Sequence, residues 1–497
     1  MNTRMEVANI DRGYAWVVLV AAFCLQFLVG LLAYSPGVMN IAMLDEIEND
    51  LTKTSWVGSI NFGTCTLLGP VAGLIQDKVG SRGTALMGAT FTFLGMTSAS
   101  FCRSIVGLVL TYGFISGFGL CLACNVVGVV AGNYFLKRRE IAYGVCSAGG
   151  GMGLFVSGPL VRYLLRNYNL SGTLLLLGAV EFHMCVAGVT FRPVRHGHSQ
   201  SMTVTPKEPA ANEIPDESDS SVHQQATNAE PLLIKKIEVD DTNEFELTDQ
   251  RRHGSISSSH DKVSLSPPLY HPEKKGIKAR IGSVFIAFRI FKQVSFLMYN
   301  ISLTLWTLAE SAAVFHLPYY TQLKGSSSDQ AATVFTAMGF GSVISRISAG
   351  LITSDSKIPH IIIQVGLLGI SGMIVLFFPL YSNTYSTQLV FGILYGTYSQ
   401  GINTLIGPIV LDLVSLKEVP VAYGFAFFFQ GIGYILGPPV ASWIYKLSGA
   451  YDFTYVFAGS SMVLSSVLAA AVGVVRRKDL QRMDARTLDV KQDDVKY

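Results

Sequence analysis

The sequence predicts an all-α polytopic membrane protein, with twelve transmembrane helices in two pseudo-symmetric six-helix bundles. Three observations carry that expectation. Half of the 497 residues are hydrophobic, only 14% are charged and 48 are glycine, a balance foreign to ordinary soluble domains. Apolar runs of about 20 residues, enough to cross about 30 Å of hydrocarbon, recur twelve times along the chain. Most telling is an internal repeat. Ile141-Ala142-Tyr143-Gly144 through Gly151, Gly153 and Pro159 returns 280 positions later as Val421-Ala422-Tyr423-Gly424 through Gly431, Gly433 and Pro439. A second echo sets Gly73-Leu74-Ile75 ahead of Asp77 against Gly350-Leu351-Ile352 ahead of Asp355. Two similar membrane halves meeting at a central site is a frequent construction among secondary transporters.

The elements follow in chain order. An N-terminal segment, residues 1–13, precedes the first span at 14–41. Tyr14 and Trp16 open that span with rings suited to the membrane interface. The run is too long for the apolar region of a signal peptide, so no cleavable signal is expected. Spans at 54–76, 83–101, 105–133, 140–164 and 171–193 complete an N-terminal bundle over 14–193. The fifth span carries Gly149, Gly150, Gly151 and Gly153, which read either as a close-packing face or as a pliable sliding element. All seven cysteines fall in apolar segments of this half, so no disulfide framework is expected. Cys121-x-x-Cys124 reads as packing rather than redox chemistry.

Residues 194–281 change character, being rich in Ser, Asp, Glu, Lys and Pro, and cannot bury enough apolar surface to fold alone. They read as a disordered cytosolic linker, with Ser255, Ser257, Ser258 and Ser259 beside Arg251-Arg252 as phosphorylation candidates. Basic Lys274, Lys275, Lys278 and Arg280 then precede Ile281, Phe285, Phe288 and Phe291 at helical spacing. That pattern predicts an amphipathic helix on the anionic inner leaflet. The C-terminal bundle, 282–475 with this segment included, has spans at 295–320, 330–353, 359–379, 386–412, 420–446 and 452–475. A cytosolic tail, 476–497, closes the chain.

Lys and Arg set the orientation. With a cytosolic N-terminus, the inner loops hold Lys78, Arg82, Lys137, Arg138, Arg139, Lys357 and Lys417, and the tail adds Arg476, Arg477, Lys478 and Arg482. The outer loops hold only Lys53, Arg103, Arg166, Lys324 and Lys446. Both termini are therefore expected in the cytosol, with the Asn169-Leu170-Ser171 sequon outside, close to the membrane.

Two groups of motifs narrow the class. Gly73-x-x-x-Asp77-Lys78-x-Gly80-x-Arg82, between the second and third spans, resembles the loop signature of the major facilitator superfamily. There the glycine permits close helix approach, and the acid and bases latch the cytosolic gate; Asp355 marks a weaker copy in the second half. Asp11-Arg12-Gly13-Tyr14-Ala15-Trp16 opens the first span. Tyr134-Phe135-Leu136-Lys137-Arg138-Arg139-Glu140-Ile141-Ala142-Tyr143-Gly144 leads into the fifth. Together they resemble the two signatures of the monocarboxylate transporter family, with Arg12 departing from the usual glycine. The resemblance covers the whole chain and implies the major facilitator fold, alternating access, and transport of small organic anions or related metabolites across the plasma membrane.

Ionisable groups inside the hydrocarbon are the natural site candidates, because each costs at least ~2.5–3.5 kcal/mol at mid-membrane on insertion scales. Arg346 lies in the eighth span, Glu310 in the seventh, and Glu181 in the sixth with His183 close behind. By resemblance Arg346 is the arginine that binds the substrate carboxylate, and a planar guanidinium suits that task. Asn125 aligns with a cavity-lining position, or else makes an interhelical hydrogen bond. Phe62, Asn403 and Gln430 are expected to shape the pocket. Glu310 is the proton-linked candidate, separated from Arg346 by roughly 10 Å along the membrane normal at ~1.5 Å per residue, so no direct pairing is expected. Glu181 reads as structural, and His316 as a gate or interface residue.

Two family positions are changed. The lysine that follows a proline in the first span is here Gly37 after Pro36, and the aspartate one turn before the arginine is here Ser342. The expectation is thus a carrier of monocarboxylates or related carboxylate-bearing metabolites without obligatory proton coupling. Facilitated transport of aromatic amino acids or other zwitterions is the alternative, and a non-transporting carrier-like sensor stands further off. No catalytic constellation, metal spacing or cofactor motif is seen, so an enzyme is not expected. The expected partners are a small-molecule substrate, the lipid bilayer and a single-span ancillary glycoprotein, and no nucleic acid.

Overall fold

A computed structural model describes residues 11–135, 138–192, 290, 293–354, 358–414 and 418–494, with side chains as far as Arg476. The linker 194–281, the amphipathic stretch around Phe285 and Phe288, and Lys137, Asp355, Lys357 and Lys417 lie outside the described residues. The described residues belong to one compact unit and are helical between short connections.

Length and apolar composition mark seven helices as able to cross a membrane, or eight with a bent pair, Leu51–Leu67 and Gly69–Phe101, taken as one span. Two of the long helices contain a break. Gly80 (φ 81°, ψ 164°) interrupts Gly69–Phe101, and Asn169 (φ 50°, ψ −175°) interrupts Arg139–Glu181. A positive φ suits glycine and is tolerated by asparagine, which is why the chain departs from the helix at these two residues. Dividing there restores the expected twelve crossings. Two of them escape a purely apolar test: Val294–Leu323 carries Asn300, Glu310 and His316, and the tenth span is broken at Gln400-Gly401.

The spans are α1 (Tyr14–Glu46), α2 (Leu51–Leu67, continuing over 69–79), α3 (81–101), α4 (Ile105–Tyr134), α5 (139–168) and α6 (170–190). The second half has α7 (Val294–Leu323), α8 (Ser328–Ile352), α9 (His360–Tyr381), α10 (Tyr385–Ser399 and Ile402–Leu413), α11 (Val419–Ser448) and α12 (Asp452–Asp494). Side chains fix several starts. Asp50 accepts from the Thr52 and Lys53 amides at the head of α2, and Ser327 forms a reciprocal cap with Gln330 at the head of α8. Within α4, Val109–Ser116 widens into a π-helix, and the Asn61 amide of α2 donates to the Tyr112 carbonyl there at 2.7 Å. The helix of α12 runs on through the segment expected as a tail, since nothing after Gly473 is glycine or proline.

The packing repeats with the sequence. In the first half α1 packs on α5, α2 on α4 and α3 on α6; in the second α7 packs on α11, α8 on α10 and α9 on α12. The halves meet where α5 lies on α8 and α2 on α11, and shifting the numbering by six exchanges these two seams. Single residues obey the same rule. A Cβ added to Gly151 of α5 would lie 2.8 Å from Ser342 Oγ of α8, and one on Gly431 of α11 would lie 2.6 Å from the Leu67 nitrogen of α2. Gly153 packs likewise on α1 at Leu31, and its counterpart Gly433 on α7 at Thr304. The glycine run therefore serves backbone-to-backbone packing on two faces at once.

Candidate functional site

Gly150 and Gly151 present no side chain to α8, and that bare backbone gives the Arg346 side chain its place at the α5–α8 seam. A Cβ at Gly150 would stand 3.3 Å from Arg346 Nη1. The guanidinium is buried and spends its donors on four neutral groups. Nε donates to Ser342 Oγ (3.1 Å), Nη1 to the Ser147 carbonyl of α5 (3.2 Å), and Nη2 to Gln400 Oε1 (2.9 Å) and the Tyr34 hydroxyl of α1 (3.4 Å). Ser342, one turn before Arg346, is thus one of its acceptors. No described carboxylate lies within ion-pair distance of Arg346.

Gln400 is the bridge. The helix breaks at this residue, and its Oε1 accepts from both Arg346 and Tyr34 (2.9 Å), while its Nε2 donates to Glu310 Oε1 of α7 at 2.7 Å. The other Glu310 oxygen accepts from the Tyr434 hydroxyl of α11 at 2.9 Å. Arg346 and Glu310 are therefore joined through an amide and not by a direct ion pair, in keeping with the expectation of no direct pairing. All of these side chains are buried. Beside them Phe62 of α2 packs against Tyr434 (centroids 4.2 Å) and Tyr34 (6.0 Å). The adjoining cavity, lined by Tyr34, Phe62, Glu310, Phe315, Tyr434 and Pro438, has room for water centres of ≈ 40 Å³. That is space for a few water molecules. Spans of both halves contribute to the network, so a tilt of one half against the other would open it.

The superfamily sequence profile of the Major Facilitator Superfamily matches residues 22–407 and 361–488. The chain belongs to the Major Facilitator Superfamily. Among curated relatives it is similar to Monocarboxylate transporter 14 of Homo sapiens, with 28% identity over 91% of this chain and 89% of the relative. It is likewise similar to Monocarboxylate transporter 9 of Gallus gallus (24%, over 92% of each). For Monocarboxylate transporter 2 of Meriones unguiculatus the identity is 27%, over 92% of this chain and 83% of the relative. This Major Facilitator Superfamily member is a multi-pass membrane protein and a secondary transporter.

Of the residues expected at the site, the fold gathers Arg346, Glu310 and Phe62. Gln430 stands one turn before Tyr434 on α11, buried, with its Nε2 lacking a partner among the described residues. Asn403 follows the α10 break by three residues and is part-buried. Asn125 is engaged elsewhere, its amide donating to Gln76 Oε1 at 2.6 Å while Gln76 reaches Ser81 Oγ at 2.8 Å. It thereby ties α4 to the loop between α2 and α3. Tyr34, Gln400 and Tyr434 were not anticipated. Two faint signals existed: Gln400 precedes a glycine inside an apolar run, and Tyr434 follows Gly433 of the repeat.

In that loop of the superfamily member, Gly80 supplies the positive φ that ends α2, and Asp77, Lys78 and Arg82 are exposed. The close approach implied for Gly73 is corrected: a Cβ there would meet nothing within 4 Å. Close approach on this side comes instead from Gly144 of α5, whose added Cβ would lie 3.0 Å from Gly350 Cα of α8.

The two family signatures meet in space. The Asp11 amide donates to the Tyr134 carbonyl (3.1 Å), Trp16 packs edge-on to Phe135 (5.7 Å), and the Tyr134 hydroxyl donates to the Arg192 carbonyl (2.8 Å). Asp11 and Gly13 both take positive φ to make that turn. Arg138 is exposed, Arg139 lies over the Tyr143 ring at 5.7 Å, and Ala142 is buried. His316 is an interface residue within the second bundle, its ring meeting the Pro438 carbonyl (3.0 Å) and the Tyr451 hydroxyl (3.2 Å). Glu181 is fully buried, and neither of its carboxylate oxygens has a hydrogen-bond partner among the described residues.

Proposed function

We propose that the protein carries small carboxylate-bearing solutes, monocarboxylates or related metabolites, across the plasma membrane by alternating access, with both termini cytosolic. One observation supports this above the rest: a buried guanidinium at the seam of the two halves that no described carboxylate pairs with directly. A buried cation served only by neutral acceptors favours an anionic ligand, and the fork geometry of arginine suits a carboxylate. Arg346 is the anchor in this reading, Ser342 and the Ser147 carbonyl hold its plane, and Phe62, Tyr34 and Tyr434 exclude water. Gln430, with a free donor on the same face of α11 as Tyr434, and Asn403 complete the polar lining on opening, while Asn125 acts through the loop.

Charge accounting bears on coupling. Arg346 and Glu310 sum to zero, so a bound monoanion leaves a net negative charge unless a proton accompanies it. Gly37 and Ser342 stand where the proton-coupled members carry charge, so coupling is not obligatory in this reading, and Glu310 is the group at the described site placed to accept a proton. Uptake of radiolabelled carboxylates into oocytes tests the anchor. Arg346→Ala should abolish uptake of every transported carboxylate at unchanged surface expression; retained uptake ends the assignment. A single-span ancillary glycoprotein belongs to the same proposal and would be retained with the protein on mild-detergent purification.

A further inference from the structure

We infer that Gln400 occupies the position of the substrate's polar head, and that the substrate therefore carries an ammonium next to its carboxylate. The inference rests on Arg346 as the carboxylate anchor and deepens that reading.

An amide has one acceptor end and one donor end, and Gln400 uses each against a charge of opposite sense. Its carbonyl oxygen takes the Arg346 and Tyr34 donors at 2.9 Å, the partners a carboxylate oxygen would take. Its NH₂ group donates to Glu310 at 2.7 Å, the partner an ammonium would take. The two ends are attached to one carbon. In a 2-ammonio carboxylate the corresponding groups sit one bond further apart, within the reach of the same two side chains. The helix break at Gln400-Gly401 gives the amide a place from which it can swing away.

Glu310 is the residue that decides the class. Its carboxylate faces the cavity between the rings of Phe62, Phe315 and Tyr434, surroundings that favour a cation. A zwitterion satisfies Arg346 and Glu310 together and leaves the site neutral. A plain carboxylate displacing Gln400 satisfies Arg346 and leaves Glu310 Oε1 without its donor, the Tyr434 hydroxyl serving only Oε2, and a site built around a polar group rejects the analogue that lacks it. Ala33, Pro36, Val314 and Pro438 make most of the remaining wall, with Ser59 and Ser311 the polar side chains in it, so the side chain beyond the head is mainly apolar.

The test is a matched series binding to the purified full chain in nanodiscs near neutral pH: leucine, 2-hydroxy-4-methylpentanoate, 4-methylpentanoate and 3-methylbutylamine. Leucine should bind at least about tenfold more tightly than either acid lacking nitrogen, the scale set by one unsatisfied buried polar group. Glu310→Gln should remove that advantage while 4-methylpentanoate still binds through Arg346. Equal affinity of leucine and 4-methylpentanoate, both lost in Arg346→Ala, overturns the inference and leaves the carboxylate reading standing. Binding of 3-methylbutylamine as tight as that of leucine, unchanged by Arg346→Ala, overturns the carboxylate reading itself. If 4-methylpentanoate binding rises with acidity and Glu310→Gln removes that rise without any leucine preference, Glu310 serves a proton and the inference also fails.

Discussion

Arg346 makes four hydrogen bonds in three directions, and only a guanidinium can serve them all. A lysine ammonium at that position would keep the charge and lose the planar fork. Arg346→Lys is therefore expected to raise KM for any carboxylate substrate by about tenfold or more, since hydrogen bonds to charged groups contribute ~1.5–3 kcal/mol each; initial-rate uptake kinetics check this. Glu181 is the counter-case. It is as buried as Arg346 yet has no hydrogen-bond partner among the described residues, so an ionised carboxylate there gains no hydrogen bond from them. Glu181→Gln should leave uptake within about twofold and the melting temperature unchanged or raised. A loss of transport in that variant would place Glu181 in the transport cycle. Arg346 and Glu310 were legible because charge in hydrocarbon singled them out, with family position as a second signal for Arg346 alone, while Phe62 was expected only as a ring shaping the pocket. Gln400 was not, because a neutral side chain inside an apolar run carries no such signal until a helix break places it between two charges.

At the scale of elements, small residues decide which helices touch. Gly151 and Gly431 face the backbones of α8 and α2 at distances no Cβ tolerates, whereas Gly73 faces open space. Gly151→Ala and Gly431→Ala should each destabilise the protein by ~1–3 kcal/mol, the usual cost of overpacking, and Gly73→Ala should be neutral in the same thermal-melting assay. A stable Gly431→Ala protein would show that the α2–α11 seam is looser than described. The repeat at 280 residues foretold this equivalence, since identical glycines in a duplicated fold meet equivalent neighbours. The span count was legible for the same reason. The breaks at Gly80 and Asn169 fall within the connections expected at 77–82 and 165–170, whereas the helical course beyond Arg476 was hidden, because it depends on propensity rather than on apolar length.

At the scale of the whole molecule, two ion pairs among the described residues join the halves on the face away from the Gly73–Arg82 loop. Asp50 at the head of α2 meets Lys446 near the end of α11 at 2.7 Å, and Arg162 of α5 meets Asp329 at the head of α8 at 3.0 Å. They sit on the two exchangeable seams, so the duplication has placed a latch on each. Both are partly exposed and are worth ~0–1 kcal/mol apiece. Neutralising both acids, Asp50→Asn with Asp329→Asn, should shift the balance of conformers by up to about tenfold toward opening on that face, read by thiol accessibility in the cavity. The hydrogen bond from Lys446 holds the Asp50 carboxyl below the ordinary aspartate value of 3.8. Its pairing is thus fully present above that value and is lost only as pH falls further, through the lowered one. Mild acidification should leave this latch closed, and an accessibility change between pH 7 and about 5 would have to come from another group.

The central claim is that two duplicated halves tilt about a seam where Arg346 holds the solute. Double electron–electron resonance in a cysteine-free background tests it most directly, with one label pair at Lys53 and Ser448 and another at Lys78 and Ile358. On adding a transported carboxylate, the two distance distributions should move in opposite senses, one widening as the other narrows, and Arg346→Ala should abolish the shift. Distances that both stay fixed, or that change together, would contradict the account.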